Sequence, residues 1–214
     1  METQKVTPAK EEKPGRNRRD EIIAACEKLY RERSFKEISI KDIGAATTFT
    51  RTSIYNYFKT KEEIFLALLT REYWQWAGQV ARIGTQGALP MAAFARELAA
   101  TFEDRGLMLK LLSMNIYDME SNSRMEQLVA FKHSYSSALK AVDQCLSGNF
   151  PFMPDYARQD FIYAFFPFIF GIYPYTSATE KQLAAMAAAK IDYVPMTPRK
   201  LVENCILQLL QQYV

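Results

Sequence analysis

The chain has 214 residues, 49% of them hydrophobic, which is enough to bury one large core or two modest ones. Eight glycines and nine prolines are few for an all-β protein with many tight turns. Three cysteines stand far apart, without a CxxC pair or an apolar leader, and predict a reduced, cytoplasmic protein. A single histidine, without a nucleophile-elbow or phosphate-loop motif, argues against an enzyme, and we expect no metal or cofactor.

The net charge of +3 is concentrated towards the N-terminus. Residues 1–63 hold 14 Lys and Arg against 11 Asp and Glu, whereas residues 64–214 hold 13 of each. A positive segment favours contact with nucleic acid. Because a solvated basic tail would have a similar composition, this excess supports DNA binding only in combination with a structural motif.

Apolar residues recur three and four positions apart along most of the chain, and this pattern predicts an all-α fold. Residues 1–15 have almost no apolar side chains, and we expect a disordered arm there. Helices are predicted over about residues 18–33, 40–47, 51–57, 60–82, 91–103, 106–119, 122–147, 155–176, 179–190 and 198–213.

The run over residues 161–179 has no charged side chain and is nearly long enough to span a membrane. Pro167, Gly171 and Pro174 interrupt it, and no basic cluster flanks it. These features favour a buried helix, and we predict no membrane contact.

Three helix-start signals occur close together in the N-terminal part of the chain. Ser39 with Asp42 and Thr60 with Glu63 have the spacing of capping boxes, and Thr50 lies between them as a further N-cap. Their spacing predicts a helix–turn–helix followed by a third helix. The apolar residues of this segment can all face inward, and they are Ile40, Ile43, Phe49, Ile54 and Phe58.

The helix predicted over residues 51–57 has more hydrogen-bonding side chains than a core helix needs. In a helix-turn-helix the second helix enters the major groove with its N-terminal residues towards the base edges. Arg51 suits guanine O6 and N7, and Thr52 suits a thymine methyl group or a phosphate. Lys61 lies at a helix start, where free N–H groups favour a phosphate. The candidate DNA contacts are Arg18, Thr50, Arg51, Thr52, Ser53, Tyr55, Asn56, Tyr57 and Lys61.

The stretch from about Asp20 to Leu69 resembles the DNA-binding domain of the TetR family, the tetracycline-repressor-like transcriptional regulators. The resemblance rests on Ile40-Lys41-Asp42-Ile43 and on the string Arg51 to Phe65, with its Tyr-x-Tyr-Phe-x-x-Lys pattern. It implies that Arg51 and Thr52 read bases. It also implies phosphate contacts by Ser53, Tyr55, Tyr57 and Lys61. Half-buried tyrosines and a solvated lysine are the alternatives at these positions.

One position departs from the family pattern. The family turn has Ala-Gly-Val-Ser, and this chain has Thr47-Thr48-Phe49-Thr50. The usual glycine allows a positive φ, which is costly for a β-branched residue. The turn at Thr48 is therefore expected either to adopt another geometry or to be strained.

The resemblance also implies a division of labour along the chain. We expect a disordered arm over residues 1–15, a helix-turn-helix DNA-binding domain over 16–65 and a helical ligand-binding and dimerisation domain over 66–214. The family's mode of action implies a homodimer on a palindromic, double-stranded DNA operator and a small-molecule effector. The helix over 155–176 and the final helix are the expected dimer surface.

Large side chains spread over the C-terminal helices are candidates for the wall of an effector pocket. Aromatic and methionine walls suit an apolar or aromatic ligand, although each residue could instead belong to the core. The expected ligand-binding residues are Trp74, Phe102, Met108, Phe131, Tyr135 and Phe165, with Trp76, Phe94 and Met114 as further candidates.

Together these features predict a ligand-responsive, sequence-specific transcriptional regulator, a repressor in its leading form. An activator, or a regulator that needs no ligand, is the first alternative. A small-molecule-binding or protein-interaction module with a degenerate DNA-binding domain is the second, and Thr48 motivates it.

Overall fold

The computed structural model describes residues 14–85, 87–114, 116–211 and 213, without the side chains of residues 14–17 and of Arg51. Most of the arm expected over residues 1–15 therefore lies outside the described residues. Within them the chain forms twelve α-helices and no strand, as the sequence pattern predicted. The helices are α1 (Pro14–Glu32), α2 (Ile40–Ala45), α3 (Arg51–Ile54), α4 (Lys61–Gly84), α5 (Met91–Ala100), α6 (Gly106–Leu112), α7 (Ile116–Ser121), α8 (Met125–Asn149), α9 (Asp155–Gly171), α10 (Tyr173–Thr176), α11 (Glu180–Ala188) and α12 (Pro198–Gln211).

Two of the predicted helices are each broken in two, so those predictions were wrong in extent. The segment predicted as one helix over 155–176 forms two helices, because α9 ends at Gly171 and α10 begins at Tyr173. Pro174 explains this break, since it has no N–H and its ring clashes with the carbonyl of the preceding turn. The segment over 106–119 divides into α6 and α7, and Ser113 closes α6 by donating from its hydroxyl to the carbonyl of Lys110 at 2.8 Å.

Helix α4 is the central helix, against which several other helices pack. It packs along α8 for most of its length, and α1 packs against its first half, so one helix runs through both parts of the chain. Its side chains Tyr73 and Trp76 are fully buried. Trp76 meets Phe102 and Phe166 at ring-centroid distances of 5.1 and 5.8 Å. The core is therefore continuous and strongly aromatic.

Helix α9 buries only one of its faces. Phe161, Phe165 and Ile169 are fully buried, whereas Tyr163 on the opposite face is 69% exposed. No helix in the described part of the chain is long and apolar enough to cross a membrane. The prediction of a buried helix over this segment thus holds for one side of α9 and not for the other.

Candidate nucleic-acid interface and ligand cavity

The start of α2 has the capping box that the sequence predicted. The Ser39 hydroxyl accepts a hydrogen bond from the Asp42 N–H at 3.3 Å, and the Ser39 N–H donates to the Asp42 carboxylate at 2.9 Å. Hydrogen bonds from Ser39 lower the pKa of Asp42. The first turn of α2 is therefore fixed locally, and Ile43 is buried beneath it.

Helix α3 is shorter than the predicted 51–57. Only residues 51–54 are α-helical, and the chain then continues through a turn in which the N–H groups of Tyr57 and Phe58 both donate to the carbonyl of Ile54 at 2.9 Å. The Thr50 side chain does not cap the helix, and its hydroxyl lies 3.1 Å from that of Ser53. Because Ile54 and Phe58 are fully buried, packing rather than capping positions α3.

The turn at Thr48 adopts a geometry that needs no glycine. Among the described residues other than glycine only Lys190 has a positive φ, so Thr48 remains in an ordinary conformation. Its N–H and its hydroxyl both donate to the carboxylate of Glu21 at 2.8 Å. The turn is thus tied to α1, and the strain that motivated a degenerate DNA-binding domain is absent.

The candidate DNA contacts occupy the solvent side of this helix-turn-helix. Thr50, Thr52 and Asn56 are exposed, and Ser53 and Tyr55 are partly exposed. The side chain of Arg51 lies outside the described residues. Exposed Arg18 of α1 comes to 6.0 Å from the ring of Phe49, next to the start of α3.

Two lysines near α3 have partners within the protein. The Lys61 ammonium donates to the carbonyls of Phe35 and Ile38 at 2.9 and 3.2 Å and lies 4.0 Å from the centre of the Phe35 ring. The Lys59 ammonium donates to the carbonyl of Tyr55 at 2.7 Å. The phosphate contact expected of Lys61 would therefore have to compete with, or be added to, these internal bonds.

The carboxylate of Glu63 joins the helix-turn-helix segment to α8, in an arrangement that the sequence did not predict. Its side chain is fully buried. It accepts hydrogen bonds from the Lys59 N–H at 2.7 Å, from the Arg124 N–H at 3.0 Å and from the Arg124 guanidinium at 2.7 and 3.0 Å. Burial alone would raise the pKa of Glu63, but these bonds outweigh it and lower the pKa.

Arg124 also reaches the end of residues 51–57, the predicted recognition segment. Its guanidinium donates to the carbonyl of Tyr57 at 3.1 Å, and the Thr60 hydroxyl donates to the carbonyl of Asn122 at 2.9 Å. The predicted capping residue Thr60 does accept the Glu63 N–H, at 3.2 Å. The second half of that capping box is replaced, because the Glu63 carboxylate bonds to the Lys59 N–H instead. We call this set of contacts the Glu63–Arg124 junction.

A second link runs from α6 to the end of α1. The Lys110 ammonium donates to the carbonyls of Tyr30 and Arg33, at 2.5 and 2.9 Å. The Tyr30 hydroxyl donates back to the carbonyl of Lys110 at 3.2 Å. A cation at a helix C-terminus stabilises its free carbonyl groups, so Lys110 gives the helix-turn-helix segment a further attachment to the C-terminal helices.

A cavity of about 600 Å³ opens between α7, α8 and α9. Its walls are mainly aromatic and aliphatic, which suits an apolar or aromatic ligand. The lining residues are Met114, Ile116, Tyr117, Glu120, Phe131, Lys132, Tyr135, Phe166, Pro167 and Phe170.

The cavity brings together some of the expected ligand-binding residues and not others. Phe131 and Tyr135 line it. Phe102, Met108 and Phe165 are fully buried in the core behind it, and Trp74 is 50% exposed away from it. Helical spacing shows that a residue lies on an apolar stripe, but it does not show which neighbouring helix that stripe will meet.

The polar groups at the cavity are few. The Lys132 ammonium and the Glu120 carboxylate form an ion pair at 2.6 Å that joins α8 to α7. Tyr73 is fully buried beside the wall, with its ring centre 5.6 Å from that of Tyr135. Its hydroxyl has no hydrogen-bond partner among the described residues, and burial raises its pKa, so it stays protonated.

Both parts of this structure match models of known protein families. A model of bacterial regulatory proteins of the tetR family matches residues 22–68, and a model of the tetracyclin repressor-like C-terminal domain matches residues 70–211. YuxN of Bacillus subtilis (strain 168), an uncharacterized HTH-type transcriptional regulator, is 25% identical over 83 residues. That match covers 39% of this chain and 28% of YuxN, so it spans less than a third of the relative's length.

Solved structures share the whole fold at low sequence identity. A protein from Mesorhizobium loti assigned to the TetR family of transcriptional regulators is 14% identical, with a TM-score of 0.64 over 94% of this chain and 98% of that one. A TetR-family regulator from Bordetella parapertussis 12822 is 18% identical, with a TM-score of 0.59 over 91% and 94%. FadR of Thermus thermophilus, a repressor solved in complex with lauroyl-CoA, is 17% identical, with a TM-score of 0.57 over 92% and 95%. Since the two family models together span most of the sequence, this chain belongs to the TetR family of DNA-binding, helix-turn-helix transcriptional regulators.

Proposed function

We propose that the protein is a ligand-responsive repressor that binds a palindromic operator as a homodimer. The observation that carries the proposal is the Glu63–Arg124 junction, which joins the recognition segment to α7 and α8, two of the three helices that line the cavity. The exposed polar face of α3 supports the DNA-binding part of the proposal, and the apolar cavity in the C-terminal domain supports the ligand-binding part.

The DNA-binding step uses the exposed face of α3. The hydroxyl and amide groups of Thr50, Thr52 and Asn56 are available to base edges or phosphates, while Ile54 and Phe58 fix the helix from below. We assign Arg51 to a guanine contact, as its position at the start of the helix suggests. Each lost bidentate contact costs about 1–3 kcal/mol, which is roughly 5- to 150-fold in affinity.

Dimerisation is assigned to the outer face of α9 together with α12. Tyr156 and Tyr163 of α9 are 68% and 69% exposed, and Ala164 and Pro167 lie on the same side of the helix. A row of large exposed apolar side chains marks an interaction surface. A two-fold dimer would present two α3 helices and would therefore require a palindromic operator.

The ligand response is assigned to α7 and α8. Tyr117 and Glu120 of α7 and Phe131 of α8 line the cavity. The segment that connects these helices contains Asn122 and Arg124, both of which bond to the DNA-binding domain. A ligand that separates α7 from α8 therefore changes the position of the contacts that hold the recognition segment.

The effector is expected to be apolar or aromatic. Five aromatic rings line the cavity, and its two charged groups already neutralise each other as an ion pair. The lauroyl-CoA of the Thermus FadR complex is a ligand of that protein, and the acyl chain is one chemistry that this wall would accept.

Fluorescence anisotropy with DNA from upstream of the gene tests DNA binding. The parent protein should prefer this DNA to a shuffled duplex at physiological salt, and Arg51→Ala should weaken binding about 5- to 150-fold. Arg82→Ala is the matched control, because it removes the same charge from an exposed site on α4. Equal weakening by both variants would mean that only general electrostatics act, and the groove assignment would be rejected.

Tryptophan fluorescence tests the cavity, because Trp76 lies 5.8 Å from the cavity residue Phe166. Titration with lauroyl-CoA and with the apolar dye ANS should change the emission of the parent, and Tyr135→Ala should weaken the response to a bound probe. A probe that binds should also release the operator. Binding without any change in DNA affinity would separate the cavity from regulation and reject the ligand-responsive part of the proposal.

A further inference from the structure

Helix α11 is specified at both ends by its own sequence. At its start the Thr179 N–H donates to the Gln182 side chain at 2.9 Å, and the Thr179 hydroxyl accepts the Gln182 N–H at 3.3 Å, which is a capping box. At its end the Ile191 N–H donates to the carbonyl of Met186 and the Lys190 N–H to that of Ala187. Lys190 has a φ of 55°, so this end is a Schellman motif without glycine.

Nevertheless α11 is little buried within its own chain. None of its nine residues is buried, although each of the long helices of the molecule buries several. A helix of this length is unstable in water by itself, because about 12–15 residues are needed even for good helix formers. Its local signals therefore make sense only if another surface covers it.

One side of α11 is suited to such a surface. Leu183, Met186 and Ala187 fall on one stripe of the helix, and Ile191 continues it beyond the Schellman motif. Leu183 is 43% exposed and Ile191 is 57% exposed. Met186 is half-buried, Glu180 lies beside this stripe one turn before Leu183, and Lys181 and Ala185 lie on the opposite side. The stripe is therefore mainly apolar and largely exposed to solvent.

An apolar groove of about 510 Å³ lies at the base of the same segment. The base is held by the Tyr193 hydroxyl, which donates to the carbonyl of Tyr175 at 3.1 Å. No charged side chain lines the groove within the described residues. Its lining residues are Pro167, Phe168, Gly171, Ile172, Tyr175, Tyr193, Val194, Met196 and Leu201.

We propose that residues 177–196 form an arm whose helix α11 packs into this groove of a second copy of the chain. The arm has two acidic and two basic residues, and the groove presents no charge, so neither selects a nucleic acid, an anionic membrane or a charged peptide. An apolar stripe and an apolar groove are instead complementary to each other.

In a two-fold dimer both arms find a binding groove, and no other protein is needed. In a two-fold dimer each arm meets the groove of the other copy, so one pair of complementary surfaces is used twice. Pro167 and Gly171 of the groove belong to the outer face of α9, the face assigned above to the dimer. The arm therefore rests on the proposed homodimer and extends its interface.

Sedimentation of full-length variants tests whether the arm stabilises a dimer. Leu183→Glu should raise the dimer dissociation constant about tenfold or more, since it places a charge in an apolar contact. Ala185→Glu, on the other side of α11, should leave the constant within about twofold. Neither substitution touches a buried residue, so an unchanged melting temperature at low protein concentration confirms that the subunit is folded.

Disulfide trapping tests whether the arm crosses between copies. Met186→Cys and Gly171→Cys are made in separate chains that both carry Cys205→Ser, and only one chain is tagged. A Cβ at Gly171 meets no atom within 4 Å, so a side chain fits there. The remaining Cys26 and Cys145 are buried, and burial raises the pKa of Cys145 to about 11, which leaves it unreactive.

The mixed, oxidised sample should contain a disulfide-linked pair of tagged and untagged chains after subunit exchange. If the parent is a dimer but no such pair forms, or Leu183→Glu dissociates no more readily than the parent, the arm proposal is overturned and the homodimer stands. If the parent itself sediments as a monomer at every concentration, both the homodimer and the arm are rejected.

Discussion

Two short helices, α3 and α11, are held in opposite ways. Helix α3 has four residues and no side-chain cap, yet Ile54 and the adjacent Phe58 are fully buried beneath it. Helix α11 has nine residues, a capping box and a Schellman motif, yet none of its residues is buried. Tertiary packing thus holds α3, whereas local hydrogen bonds shape α11, none of whose residues is buried in the described part of the chain.

The difference separates what positions a helix from what merely forms it. A helix that must enter a DNA groove needs a fixed orientation, and buried side chains supply it. A helix that is completed by another subunit needs only to be formed before it docks, because the partner then supplies the packing.

Removal of the buried ring beneath α3 should have the largest effect. Phe58→Ala is expected to lower the free energy of unfolding by about 3–5 kcal/mol, since it leaves a cavity where a fully buried phenyl group was. Urea unfolding measures this loss, and exposed Asn56→Ala is the control, with less than about 0.5 kcal/mol expected. A loss below about 1 kcal/mol for Phe58→Ala would mean that packing does not hold α3.

Removal of Arg124 should rank second. Arg124→Ala leaves the Glu63 carboxylate buried and without its main partner, which costs about 3–5 kcal/mol in a closed interior. Because the Arg124 side chain is 38% exposed, water can partly replace it, and we expect about 2–3 kcal/mol by urea unfolding. Lys132→Ala removes the more exposed Glu120 partner and should cost less than about 1 kcal/mol. Equal losses of unfolding free energy in the two variants would mean that the Glu63–Arg124 junction is no stronger than an exposed ion pair and does not couple the two parts of the chain.

The stabilisation at this junction should depend on pH. The hydrogen bonds of Arg124 and Lys59 hold the pKa of Glu63 below its value in the unfolded chain, which is about 4.3. A lowered pKa in the folded state means that the stabilisation is complete above about pH 4.3 and is lost as the pH falls through the lower folded value. The difference in unfolding free energy between the parent and Arg124→Ala should therefore shrink below about pH 4. A difference that is the same at pH 7 and at about pH 3.5 would contradict this assignment.

The smallest effects come from a matched pair of caps. Ser39→Ala and Thr179→Ala remove the same kind of capping box, but α2 buries Ile43 whereas no residue of α11 is buried. Ser39→Ala should lower the global free energy of unfolding by about 1 kcal/mol. Thr179→Ala should leave it unchanged in dilute, monomeric protein and should increase hydrogen exchange only in α11. A global loss with Thr179→Ala would show that α11 is packed within its own subunit.

Elements whose causes are local could be predicted from the sequence alone. The all-α class, the caps at Ser39 and Thr60, and the start of the helix predicted over 198–213 all depend on contacts within about four residues along the chain. The break at Pro174 has the same kind of cause and could also have been predicted. The pattern from Arg51 to Phe65 was specific enough to indicate the TetR family, which both family models support.

Which helix faces meet became clear only from the folded chain. The carboxylate of Glu21, 27 residues away in sequence, accepts a hydrogen bond from the turn at Thr48. Arg124 bonds to Glu63 from 61 residues away. Phe131 lines the cavity while Trp74 faces solvent, although both lie on long amphipathic helices. The periodicity of a helix defines its apolar stripe but not its neighbour, because the neighbour depends on the relative orientation of helices that are distant in sequence. For the same reason, α11 could be predicted as a helix, but the exposure of its residues became visible only in the folded chain.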